Sequence, residues 1–106
     1  MSRFFGICFI LWFFFTSDTT GPNINFDSNL PKHTLANPSF TWTSDEIGTF
    51  LCALDGETNW ESCGTGKTGS WQGYNVPDGS HRFYVKGTDD LGNSGPSIVH
   101  NFDVGE

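Results

Sequence analysis

The chain has 106 residues, which is enough for one domain. It carries 12 acidic against 5 basic side chains, and 16% of its residues are aromatic. That balance argues against a nucleic-acid binder, which needs Lys and Arg to neutralise phosphates, and against adhesion to anionic membranes.

Residues 1–17 stand apart from the rest. Arg3 precedes an apolar run from Phe4 to Phe15, "FFGICFILWFFF". The run is shorter than the roughly 20 residues that a membrane-spanning helix needs. It reads as a secretory signal peptide, with a short uncleaved apolar anchor as the alternative. The expectation is therefore a secreted, extracellular domain over 18–106, with no stable membrane span once the signal is removed.

From Thr16 onward Gly, Pro, Asn, Asp and Ser recur every few residues, and no window carries a helical apolar stripe. Short alternating runs appear instead, as half-buried strands require. "NINFD" sets Ile24 and Phe26 on one face. "DSNLPKHTLANP" reads as an edge strand fading into a loop, because its prolines interrupt a ladder. "SFTWTS" alternates Phe40 and Trp42, and "TFLCALDG" puts Phe50, Cys52 and Leu54 together. "ETNWESC" suits a short returning strand, and a weaker one between Gly69 and Val76 holds Trp71 and Tyr74. "HRFYVKGT" and "SIVHNFDV" close the series.

About seven short strands without crossover helices predict an all-β, antiparallel two-sheet sandwich of the Ig-like kind. Asp55-Gly56 and Asp78-Gly79 mark tight turns, with glycine taking the positive φ.

Setting aside Cys8 in the apolar run, Cys52 and Cys63 remain. An even pair in an exported chain predicts a disulfide. Two cysteines cannot fill a four-ligand zinc site, and no His pair stands four residues apart.

Four blocks occur in one order: "FTW", "FLCALDG" with a later Cys, "VPDGSHRFYVKGTDDLGN" and "HNFDV". This order resembles the Ig-like, fibronectin-III-like repeats of bacterial and animal surface proteins, with their F-x-C-x-L-D-G and D-G-x-H-x-F-x-V blocks. "DTTGP" matches the usual opening of such a repeat. The resemblance implies a Cys52–Cys63 bridge, a core that includes Phe50, Leu54, Phe83 and Val85, and a turn at "DDLGN". Gly87 stands where Ala is usual, and Val76 where Leu is common. The stretch "GTGKTGSWQGYN" is longer and richer in glycine than the pattern, and reads as a flexible connection. Members of this group serve mostly as spacers or adhesive modules.

The "GKT" at Gly66-Lys67-Thr68 lacks the preceding glycine and the following helix of a phosphate-binding loop. His81 and His100 fit packing and hydrogen-bonding roles, and no nucleophile motif accompanies them, so no enzyme is expected. Trp60, Lys67, Trp71 and Tyr74 form the candidate binding loop. The plainer reading of its two tryptophans is that they cover the disulfide and one end of the sandwich. Asp89, Asp90 and Asn93 offer oxygen ligands for calcium, against the plainer reading of a turn whose Asp and Asn bond their own backbone. No other cofactor is expected.

The reading is thus a non-enzymatic extracellular module for protein interaction, adhesion or spacing, with an extracellular protein as partner. It stands alone or as a piece of a larger surface protein. The alternative is a small carbohydrate-binding or calcium-dependent lectin-like module.

Overall fold

A computed structural model describes residues 20–105. The signal segment at 1–17, Cys8 and the Asp18 opening lie outside the described residues. Six strands run in order: β1 (Ile24–Phe26), β2 (His33–Thr34), β3 (Ser39–Leu54), β4 (Glu61–Gln72), β5 (Gly79–Thr88) and β6 (Ile98–Val104). They form one curled sheet, ordered β1-β3-β5-β6-β2, with β4 paired along the other edge of β3.

The sheet curls into two layers because β3 and β4 each run through both. The first part of β3 pairs with β1 through Trp42, Thr43 and Ser44. Its second part, Thr49–Leu54, pairs with β5. β4 follows β3 across both layers, from Ser39↔Gln72 to Cys52↔Glu61. The bend falls between Thr43 and Gly48, where the register shifts. A bulge of this kind bends a strand and sharpens its twist. Asn23 fixes the bend: its backbone N–H donates to the Asp45 carboxylate at 2.8 Å, and its carbonyl accepts from the Asp45 N–H.

These pairings account for the strand count. "SFTWTS" and "TFLCALDG" join into the single strand β3. The strands expected around "ETNWESC" and Gly69–Val76 join into β4. The glycine-rich stretch expected to be a flexible connection is instead paired strand, because glycine and threonine suffice where the backbone supplies the bonds. The proline-flanked edge appears as β2, which pairs with β6 in parallel at Asp103 and Val104.

The core lies between the layers. Phe40, Trp42, Phe50, Phe83 and Val85 are fully buried. Rings from both layers meet at Phe83, with Phe40 at 5.4 Å, Trp42 at 5.8 Å and Phe26 at 6.1 Å. Burial of such side chains contributes about 1.5–3 kcal/mol each. Leu54, expected in the core, is 36% exposed, because β3 runs out of the sandwich there. Trp42 lies flush on β4, where a Cβ on Gly69 would stand 2.4 Å from its indole nitrogen. Only glycine permits that approach.

The chain enters through Pro22, which is fully buried. Its ring and backbone press on three glycines. A Cβ on Gly87 would meet the Pro22 ring at 3.2 Å, one on Gly48 at 3.1 Å, and one on Gly95 its carbonyl at 1.8 Å. The Ala-to-Gly departure at position 87 thus makes room for this proline.

Candidate interaction surface

β5 alternates faces along its length. Phe83, Val85 and Gly87 point into the core, while Arg82, Tyr84 and Lys86 point outward. Across the strands, Tyr84 lies opposite Ala53 on one side and Val99 on the other, and Arg82 lies opposite Asn101. Val99 is 46% exposed, whereas Ala53 is buried although it faces outward.

Trp60, just before β4, lies over this outer face. Its ring meets Tyr84 edge-on at 6.5 Å, and the Lys86 Nζ sits 4.3 Å from its centroid. A cation at that distance is attracted by the indole face.

The four residues of the candidate binding loop do not converge. Trp71 points inward, stacked on Phe83 at 4.6 Å and Phe40 at 5.8 Å, and lines a cleft beside Cys52 and Cys63. Lys67 is exposed in the middle of β4, where it faces the β3 bulge. Tyr74 is 73% exposed beyond the end of β4. Trp60 alone joins an outward cluster, with Tyr84 and Lys86. The alternation of "RFYVK" already sets Tyr84 and Lys86 together on the outer face, but no motif marks them as site residues.

Cys52 and Cys63 are joined, with Cα atoms 5.9 Å apart. The bridge ties β3 to β4 and packs against the core from its open end. It closes a loop over a separation of 11 residues, and on the chain-entropy account stabilises by about 3 kcal/mol.

At the end of the sandwich where β5 begins, His81 is held from two sides. Its Nδ1 bonds the Asp55 carboxylate at 2.8 Å, and its Nε2 bonds the Pro77 carbonyl at 2.7 Å. Both partners accept, so both ring nitrogens donate only in the imidazolium form. The bond to Asp55 accordingly raises the His81 pKa above its ordinary value, against the opposing effect of burial. Asp55 also accepts from the Arg82 backbone N–H at 3.0 Å. At this turn the positive φ falls on Asp55 itself, at 65°, rather than on Gly56; at the other turn Gly79 takes it, at 125°. His100 packs edge-on against Phe40 at 4.9 Å, and its Nε2 bonds the Pro31 carbonyl.

The "DDLGN" segment closes on itself. The Asp89 Oδ1 accepts from the backbone N–H of Leu91 and of Asn93, both at 2.9 Å, and Oδ2 accepts from the Asn93 side chain at 3.2 Å. The Asn93 bonds lead those that hold the Asp89 carboxyl below the usual carboxylate range. Gly92 takes a φ of 88°. These oxygens already have partners, in the manner of a self-bonded turn. Among the described residues, no group of three or more His, Cys, Asp or Glu side chains is placed to hold a metal. No helix of the described residues is long and apolar enough to cross a membrane.

No family model matches the sequence, and no curated protein matches it. Among solved structures, the chain is similar to the fibronectin(III)-like modules of Clostridium thermocellum CbhA. The TM-score is 0.58 at 16% sequence identity, covering 77% of this chain and 95% of that one. The fold is therefore of the fibronectin-III-like, Ig-like kind. At that identity the likeness carries the fold alone.

Proposed function

We propose that this chain is a non-enzymatic extracellular module for interaction, adhesion or spacing, built to be joined end to end with other modules. One observation carries the reading. Pro22 enters beside Gly87 and Gly95, at the end where β5 finishes. Gly105 leaves beside Asp78, and Val104 pairs with Gly79, where β5 begins. Entry and exit are thus separated by the ten residues of β5, about 30 Å at the usual strand rise. A disulfide suits an oxidising setting outside the cell.

The terminal strands suit a load. β1 hands over to β2, which runs parallel to β6, with the Asp103 N–H donating to the Lys32 carbonyl and the Gly105 N–H to the Thr34 carbonyl. Force between Pro22 and Val104 shears those bonds together instead of opening them one by one.

Stretching a tandem array of this domain in a single-molecule instrument tests the idea. Each unit is expected to yield in a distinct force peak. Reduction is expected to lengthen the released chain by about 30 Å, because the Cys52–Cys63 loop then joins the extended chain. Units that unravel without a peak would remove the spacing role.

A further inference from the structure

We propose that the outer face of β5, with Trp60 above it, is a docking site for an oligosaccharide bearing carboxylate or sulfate groups. The inference deepens the interaction reading above and rests on it.

Charge placement is the first support. The chain has 12 acidic residues, so a basic side chain could easily find an internal partner. Among the described residues the ion pair is His81 with Asp55, and neither Arg82 nor Lys86 is paired with an acid. They flank Tyr84 on one face of one strand, at steps of about 7 Å. Asp55 and Asp103 line a groove with Arg82, and each has another hydrogen-bond partner. Asp55 holds His81 and the Arg82 backbone, Ser80 donates to Asp103, and Ser97 donates to Glu57. Two cations without an acidic ion-pair partner, on one face of one strand, complement an extended anion.

The aromatic side chains decide what kind of anion. Trp60 and Tyr84 offer ring surface, and Lys86 holds its ammonium against the indole. A charged group bound at Lys86 therefore lies beside an apolar ring, as it does in a sugar acid or a sulfated sugar. Asn101, exposed beside Arg82, adds a hydrogen-bonding amide suited to hydroxyl groups.

Size favours a glycan over a folded protein. A stable protein interface covers about 800 Å² on each partner, with several buried anchors. The exposed large hydrophobic residue facing outward beside Tyr84 is Val99. Leu35, Ile47 and Leu91 are exposed as well, but stand on other segments. A patch of two rings, two cations and an amide matches a few sugar units.

The test is titration at low salt, followed by calorimetry and amide NMR. The probes are a heparin hexasaccharide, a hexagalacturonate, neutral cellohexaose and an oligoglutamate peptide. At least one of the two anionic sugars is expected to bind at roughly millimolar affinity or better. Its shifts should map to Arg82–Lys86, Val99–Asn101 and the Trp60 indole. The sulfated and the carboxylated probe together tell which anion is read.

Trp60→Ala and the double variant Arg82→Gln/Lys86→Gln are each expected to weaken binding about tenfold. Added salt should weaken it further. Both variants change outward side chains, and unchanged near-UV dichroism would establish that the fold is intact.

The proposal falls if neither anionic sugar binds, or if both variants bind as the parent does. Equal binding of cellohexaose would reduce the site to an uncharged aromatic platform. Binding of oligoglutamate alone would assign the face to an acidic protein. Failure here leaves the force measurement untouched, so a failed docking site is distinguishable from a failed module.

Discussion

Trp60 and Trp71 flank one glycine-rich strand, yet the fold gives them opposite surroundings. Trp71 is stacked between Phe40 and Phe83 and closes the sandwich beside the disulfide. Trp60 lies on the outside of the other layer, with Tyr84 and Lys86 as neighbours. His81 falls between these extremes, stacked on Phe102 at the rim with its ring nitrogens bonded to surface groups. The contrast shows that aromatic content alone does not mark a binding surface here. The direction each ring faces separates a core residue from one free to meet a partner.

Replacing Trp71 should have the largest effect. Trp71→Ala removes an indole stacked on two buried rings and opens a cavity beside the disulfide. Such truncations cost about 3–5 kcal/mol, a large share of the stability of a domain this size. Urea unfolding followed by far-UV dichroism measures the loss. A shift of the midpoint corresponding to less than about 1 kcal/mol would mean that Trp71 is not part of the core.

The inward and outward assignment of these rings was partly legible in the sequence. Phe40 with Trp42, Phe50 with Cys52, Phe83 with Val85 and Phe102 with Val104 each stand two apart, and all are buried. Parity does not separate the two tryptophans: between Cys63 and Trp71 the less exposed positions of β4 fall at Gly66 and Gly69, three apart, because its register shifts against β3.

Other features had no such signal. "TSDEIG" carries turn residues, yet β3 continues through it, because a bond network from Asn23 and the Pro22 contacts come from elsewhere in the chain. "GTGKTG" has no apolar alternation, yet it is paired along β3. The bond between His81 and Asp55 spans 26 residues, and no local pattern announces it. Pairs set by tertiary placement lie beyond periodicity, which reports only which way a side chain faces.

At the rim the expected effect is smaller and depends on pH. Asp55 raises the His81 pKa, so the folded protein holds that proton more tightly than the unfolded chain. The stability it contributes is complete below the ordinary histidine value near 6.5 and is lost as pH rises through the higher folded value. Lys32, Arg82 and Asp103 line the same groove as Asp55 and His81.

Asp55→Asn should cost about 1–2 kcal/mol at pH 6 and less at pH 9. Equal losses at both pH values would show that the charge of His81 plays no part.

The outward face should show the smallest change in stability. Trp60→Ala removes the edge contact with Tyr84 and the seat of the Lys86 ammonium, while the rings of the core keep their neighbours. An exposed cation–π contact is worth about 0.5–1 kcal/mol, and the expected loss is of that order. The same variant should change the amide shifts of Tyr84, Lys86 and Val99 and leave those of Phe40 and Phe102 in place. Measured beside Trp71→Ala in one denaturation series, it tests whether the two indoles belong to different parts of the molecule. A loss as large as that of Trp71→Ala would make Trp60 a structural cover for Ala53, and would leave the outer face of β5 without a side chain held for another purpose.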